Sequence, residues 1–348
     1  MTIHELLAEL LAGRTLAQDR AQELFERLFA GELEESQIAA MLALIQARGA
    51  TVDELAGAAR AMRRHAMPVP VPNDPRAAVI DTCGTGGAPK TFNISTAAAI
   101  VAAAASPHLD GGSVRVLVAK HGNRSRTGRG SAEVLAQLGV NIDAPPETQG
   151  ACLDEAGVCF CFAIRHHPAA RHAAGARKAL GFPTMFNLLG PMTNPAGAPR
   201  QLMGIYDAAY VERIAGVLAR LGSEDAMVVH GDDGLDEITL TGSTTVGRVQ
   251  GGVVRMERID PRTLGLDLCS MDDLRETDLE GCASAVHGVI DGARTGPKRD
   301  IVLLNAAAAL HVAGAADDLG EGLKRAAAAI DSGRASQTLE TLVKVSQG

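Results

Sequence analysis

Across residues 1–66 apolar side chains recur at helical spacing, as at Leu24 and Leu28 and then at Ile38, Met41, Leu42 and Ile45. The pattern predicts helices over residues 3–12, 15–30, 35–49 and 52–65, the last opened by Thr51 as an N-cap before Val52-Asp53-Glu54. Met67-Pro68-Val69-Pro70-Val71-Pro72 then breaks the pattern, because proline fixes φ and removes backbone donors. A stiff extended connection is expected there, dividing a small helical domain, 1–66, from a larger one, 73–348.

Past that boundary the period changes. Short apolar runs at 77–81, 114–119, 158–163, 201–206 and 226–230 read as strands with helical segments between them. Such alternation predicts a mostly parallel central sheet flanked by helices, an α/β fold. Residues 246–249 and 253–259, separated by Gly251-Gly252, read as a hairpin, and the C-terminal stretch returns to helix, notably at 300–313 and 320–332.

Ligands of such sheets collect at the carboxyl ends of the strands. Polar loops follow three of the predicted strands. Asp81-Thr82-Cys83-Gly84-Thr85-Gly86-Gly87 leads through Thr91-Phe92-Asn93-Ile94-Ser95-Thr96 into an alanine-rich helix. Its glycines would let backbone N–H groups approach an anion, and the helix start adds its positive dipole end. On its own the segment is either a tight structural bend or a phosphate cradle; it has neither the Lys-Ser/Thr of a Walker A loop nor a GxGxxG. The second loop, 120–131, carries Lys120, Arg124, Arg126 and Arg129 among small residues, and is either a solvated basic turn or an anion-binding loop able to close. The third concentrates Asp232, Asp233, Asp236 and Glu237. They read as surface acids or, beside a polyphosphate, as ligands for Mg²⁺, which shares oxygen ligands with phosphates. Three such loops on one rim point to a single site.

Composition narrows the classes. A chain of 348 residues has room for two domains, and its formal net charge of -8 argues against a nucleic-acid partner held by bulk charge. Cys83, Cys152, Cys159, Cys161, Cys269 and Cys282 show no CxxC spacing and no recognisable secretory signal precedes them, so reduced thiols in a cytoplasmic protein are expected. No uncharged apolar run approaches the ~20 residues needed to cross a bilayer. His166, His167 and His172 lack HxxxH or HExxH spacing and read as structural or surface residues, and Cys83 as a small packing residue.

Gly84-Thr85-Gly86-Gly87 with Thr91 to Thr96, Lys120-His121-Gly122-Asn123-Arg124, Phe186-Asn187-Leu188-Leu189-Gly190-Pro191 with Thr193-Asn194-Pro195, and His230-Gly231 with Leu235-Asp236-Glu237 together resemble the anthranilate phosphoribosyltransferase family. The resemblance runs over nearly the whole chain. It implies a homodimer of subunits in which the helical domain, completed by helices from about 168–190, closes with the α/β domain over magnesium-bound phosphoribosyl pyrophosphate. By resemblance, Gly84, Gly87, Thr91, Asn93, Ser95, Thr96, Lys120 and Ser131 would bind that donor; Gly84, Asn123 and Arg177 would receive anthranilate; and Ser95, Asp236 and Glu237 would hold Mg²⁺, as two ions. No general base is implied.

The chain also departs from the family. Ala88-Pro89-Lys90 follows the glycines where an aspartate is usual, the linker to Thr91 and the loop 123–131 are each one residue short, and an insertion falls at about 106–113. Ile164 stands where a proline is common. A pyrimidine nucleoside phosphorylase would share the fold, but the Lys120 loop and the Asp236-Glu237 pair fit it less well. A non-catalytic nucleic-acid-binding relative conflicts with the net charge.

Overall fold

The computed structural model describes residues 2–106, 114–125 and 127–348. Four helices open the chain: α1 (Ile3–Leu11), α2 (Gln18–Phe29), α3 (Glu35–Arg48) and α4 (Val52–Arg64). Thr51 caps α4 as its sequence predicts, accepting from Glu54 N at 3.2 Å while Glu54 Oε2 accepts from Thr51 N at 2.9 Å. Unlike most capping acids, Glu54 is fully buried. Burial pushes its carboxyl up, but the Arg48 guanidinium and the N–H groups of Thr51 and Leu16 outweigh that and hold it below its ordinary value. One carboxylate thus caps a helix and ties together the segments around it.

Helices α2 and α4 approach closely at Gly57, where a Cβ would lie 2.3 Å from Gln18 O and 2.7 Å from Gln22 N. Only a residue without a side chain allows that contact. The proline-rich connection after α4 is held along its length, with Met67 N donating to His166 O at 2.8 Å and Val69 N to Pro195 O at 3.1 Å.

Among the described residues seven strands form one sheet in the order β3-β2-β1-β4-β5-β6-β7: β1 (Ala77–Gly84), β2 (Arg115–Gly122), β3 (Val158–Phe162), β4 (Arg200–Gly204), β5 (Asp225–Gly231), β6 (Thr244–Gln250) and β7 (Val253–Ile259). The first five run parallel, and β6 and β7 form the expected antiparallel hairpin. The apolar runs of β2 and β3, inside the parallel part of the sheet, are buried on both faces, whereas the edge strand β7 is largely exposed. One face packs against the alanine-rich α5 (Ile94–Ala104), Pro297–Val312 and the other C-terminal helices. The other face, through Cys83, Met203, Ile205 and Val228, shares a core with α1–α4, helix Val211–Arg220 and the segment around Ala173 to Met192. The helical bundle therefore helps to cover the sheet.

Two strands run further than their apolar patterns predict. β1 continues past Asp81 through Thr82 and Cys83 to Gly84, and β2 through Lys120 and His121 to Gly122, so Lys120 belongs to a strand and not to the loop after it. Polar residues there are buried, with Asp81 and Lys120 paired, a combination that one-dimensional hydrophobicity cannot distinguish from a loop. Of the expected insertion, residues 107–113 lie outside the described residues; Ser106, at its start, is buried and its Oγ accepts from Val116 N at 2.8 Å.

If the α2–α4 contact is as close as this, Gly57→Ala should lower the unfolding free energy by about 1–3 kcal/mol, the usual cost of overpacking. Urea unfolding of the two proteins measures it, and equal stability would contradict the contact.

Candidate active site

Strand order reverses between β1 and β4, and the crevice at their carboxyl ends is where ligands of such sheets bind. Both strands end on glycine, Gly84 opposite Gly204. The loop between β5 and β6 comes down onto this bare backbone: a Cβ on Gly84 would lie 2.5 Å from Asp236 Oδ2, and one on Gly204 1.7 Å from Asp236 O. Asp236 Oδ2 accepts from Gly86 N at 3.1 Å, in a turn where Gly86 and Gly87 have φ of +66° and +95°. Its neighbour Glu237 accepts through Oε1 from Ser95 N at 3.2 Å, in the first turn of α5. The glycine turn, the helix start and the acid pair therefore meet at one point.

Lys120 reaches the same point from β2. Its Nζ donates to Thr82 O at 2.6 Å and to Ser95 Oγ at 3.0 Å, and the side chain is buried. Burial lowers its pKa, while Asp81 and Glu237 work against that. Burial raises Asp81 to about 6 despite its bond from His121 N at 3.0 Å. Glu237 is pushed to about 8, by burial first and then by Asp236, and burial raises Asp236 as well. The buried Asp81 and the half-buried Asp236 and Glu237 share this one buried lysine, with Lys90 adding positive charge toward Asp236.

Other residues singled out in the sequence surround this centre. Asn93 donates from Nδ2 to Arg129 O at 3.2 Å, joining the glycine turn to the loop after β2, and its Oδ1 is buried without a partner, as is Thr96 Oγ1. Thr91 Oγ1 donates to Phe92 O at 2.9 Å, and Gly87 lies against Tyr206. Ser131 opens the helix Ser131–Gln137, its Oγ crowding the position a Cβ on Gly122 would take. Asn123 is exposed just beyond β2, and its Oδ1 accepts from Arg124 N at 2.8 Å. Arg177, on the helix Ala174–Leu180 of the bundle side, stacks its guanidinium over Phe186 at 4.9 Å.

The four clustered acids divide. Asp232 pairs with Arg258, and Asp233 accepts from Leu235 N at 2.9 Å and from the hydroxyls of Thr239 and Thr241, so both shape the loop and only Asp236 and Glu237 face the rim. Ala88, where an acid is usual, is buried, and Pro89 beside it lies 3.7 Å from where Gly234 would carry a Cβ. An apolar contact with the acidic loop stands in that place. Ile164 is exposed. The histidines hold structure: His166 bridges Met67 O and Gln149 Oε1, both at 2.8 Å, and His167 packs edge-on against His121 at 5.1 Å. Cys83 is buried, with Gln201 Nε2 3.1 Å from its Sγ. Sequence reasoning missed Gly204, the Thr82 carbonyl and Gln201; the pairing of Gly84 with Gly204 is visible only once strands are aligned.

Two raised carboxyls beside a serine hydroxyl form a hard oxygen set with charge to spare. That fits Mg²⁺, which completes its shell from phosphate and water. No three His, Cys, Asp or Glu side chains converge as a metal cluster among the described residues. The unpartnered Thr96 hydroxyl can donate to a phosphate oxygen at the N-terminus of α5, and the unpartnered Asn93 Oδ1, an acceptor, suits a ligand hydroxyl.

Residues 76–336 match the model of the glycosyl transferase family a/b domain, and residues 4–66 that of its helical bundle domain. The curated anthranilate phosphoribosyltransferase of Methylobacterium nodulans is 48% identical over 342 residues, covering 98% of this chain and 97% of that protein. The crystal structure of the Thermus thermophilus anthranilate phosphoribosyltransferase superimposes with a TM-score of 0.89 at 38% identity, over 98% of this chain and 99% of that one. The Saccharomyces cerevisiae protein of that name, in complex with phosphoribosyl pyrophosphate and Mg, gives a TM-score of 0.86 over 99% and 98% of the two chains; at 23% identity it shows the fold alone.

Removing the buried ammonium should leave the carboxyls uncompensated, so Lys120→Met should cost about 3–5 kcal/mol at pH 8. The deficit should shrink toward pH 5. Asp81 at about 6 and Glu237 at about 8 both lie above their ordinary values of 3.8 and 4.5, so folding takes up protons in this window and their burial costs less as the pH falls. Urea unfolding at both pH values decides, and a deficit independent of pH would contradict the charge arrangement.

Proposed function

The chain belongs to the anthranilate phosphoribosyltransferase family, and on that premise we infer that the β1/β4 rim is its active site. There it transfers the phosphoribosyl group of 5-phosphoribosyl 1-pyrophosphate to anthranilate, giving N-(5-phosphoribosyl)anthranilate and pyrophosphate, a step of tryptophan biosynthesis. The observation that carries the reading is the meeting of Gly86, Ser95, Lys120, Asp236 and Glu237 at the switch point of the sheet.

In this reading the donor lies along the glycine turn, with Gly84, Gly87, Thr91, Asn93, Thr96 and Ser131 lining it. Backbone N–H groups and the N-terminus of α5 receive phosphate oxygens. Lys120 supplies a fixed positive charge in a water-poor setting, where it acts more strongly than at the surface. Ser95, Asp236 and Glu237 would hold Mg²⁺, as two ions, and the metal, when bound, neutralises charge on the departing pyrophosphate. Gly84 stands between donor and acceptor, and Asn123 and Arg177 orient anthranilate so that its amine faces the anomeric carbon as pyrophosphate leaves. Positive charge builds on the ribose during this exchange. The residues contribute position and electrostatics more than covalent catalysis.

The division into 1–66 with about 168–190 against 73–348 belongs to the same proposal, and the shared core of α1–α4 with Ala173, Ala176 and Met185 supports it. So does a homodimer, for which Leu11, 75% exposed on α1, offers an apolar contact. No helix among the described residues is long and apolar enough to cross a membrane. A cytoplasmic location is supported by six cysteines that are all free.

Mixed with phosphoribosyl pyrophosphate, Mg²⁺ and anthranilate, the protein should consume the fluorescence of anthranilate; no loss at high enzyme concentration would overturn the reading. Asp236→Asn combined with Glu237→Gln should abolish most magnesium-dependent turnover and leave the melting transition nearly in place. Unchanged turnover in that double variant would remove the metal role.

A further inference from the structure

Helix Pro297–Val312 is apolar from Ile301 to Leu310 except at one position, Asn305, which is fully buried. An amide in such a place is costly unless its hydrogen bonds are met. They are met by the residue that follows the acid pair. Asn305 Oδ1 accepts from Ile238 N at 3.0 Å, and Nδ2 donates to Ile238 O at 2.9 Å and to Ile301 O at 2.9 Å. β5 ends at Gly231 and β6 begins at Thr244, so Ile238 lies in the connection and outside the strand ladder. Its backbone groups are buried there and depend on the asparagine.

The side-chain hydrogen bonds of the acid pair are of a different kind. Asp236 and Glu237 touch the glycine turn and α5 through their own carboxylates, the oxygens that the function proposed above gives to metal. Once those oxygens turn to a cation, the hold on Ile238 persists, because it uses no functional oxygen. It anchors the acid pair to a helix of the core, immediately beside Glu237.

We propose that Asn305 is a positioning residue for the metal site: its two-way amide bond to Ile238 sets the depth and direction at which Asp236 and Glu237 enter the crevice. This rests on the reading of the rim as a magnesium and phosphoribosyl pyrophosphate site. Asparagine is required because the position needs an acceptor and two donors together. Leucine, of similar size, would leave Ile238 N–H and C=O unpaired in the core.

The test is Mn²⁺ binding in the presence of excess phosphoribosyl pyrophosphate, with free Mn²⁺ followed by electron paramagnetic resonance, for the wild-type protein and Asn305→Ala. The variant should bind Mn²⁺ about 10–100-fold more weakly, the usual effect of losing a group that orients metal ligands. The Mg²⁺ concentration giving half-maximal turnover should rise in parallel, with KM for anthranilate unchanged. A folded variant with wild-type Mn²⁺ affinity would overturn the proposal and leave the proposed function standing. If the wild-type protein itself binds no Mn²⁺ with the donor, it is the functional reading that fails. Should Asn305→Ala not fold, hydrogen exchange in the ligand-free wild-type protein serves instead: the Ile238 amide should exchange as slowly as core helix amides, and exchange at the rate of an open loop would overturn the proposal.

Discussion

The close approach of Asp236 to two glycines is the contact on which the rest of the site depends. Gly84 and Gly204 end adjacent parallel strands, and the Asp236 backbone occupies the space where a Cβ on Gly204 would stand. Any side chain at either position would lift the acidic loop away from the sheet. With the loop seated, Asp236 meets the glycine turn and Glu237 meets the first turn of α5. The strand-order reversal supplies the crevice, and the paired glycines let an acidic loop enter it.

Seating those acids has an electrostatic cost. Asp81, Asp236 and Glu237 are all raised by burial, and Lys120, buried among them, is lowered by the same cause. A site with this balance is strained toward taking up cations and is stabilised by them. The structural acids of the same loop show the contrast: Asp232 and Asp233 are spent on Arg258 and on loop hydroxyls. Next to the buried Ala88, which stands where an acid is usual, Pro89 packs the glycine turn against this loop at Gly234. The substitution exchanges a charge for apolar contact while Lys90 remains near Asp236.

Much of this architecture was legible in the chain because its elements obey simple periods. The 3.6-residue recurrence of the N-terminal helices, the short apolar strands and the Gly251-Gly252 hairpin are all local signals. The strand ends were not, since Thr82, Lys120 and His121 look like loop residues until their partners across the sheet are known. The division of four acids into two structural and two rim-facing residues depends on Arg258, Thr239 and Thr241, and so on the folded loop. Asn305 carried one faint signal, a lone polar residue in an apolar helix, but its partner lies 67 residues away. Local sequence rules fail here where the site needs them to fail.

The central claim is that one metal-binding donor site forms where Ser95, Lys120, Asp236 and Glu237 meet. Crystals grown with Mn²⁺ and phosphoribosyl pyrophosphate test it most directly through the anomalous signal of the metal. The account requires anomalous density beside the Asp236 and Glu237 carboxylates, with the donor bound at the same rim near Lys120 and the glycine turn. Donor bound elsewhere, or bound at this rim with both carboxylates away from the metal, would contradict it.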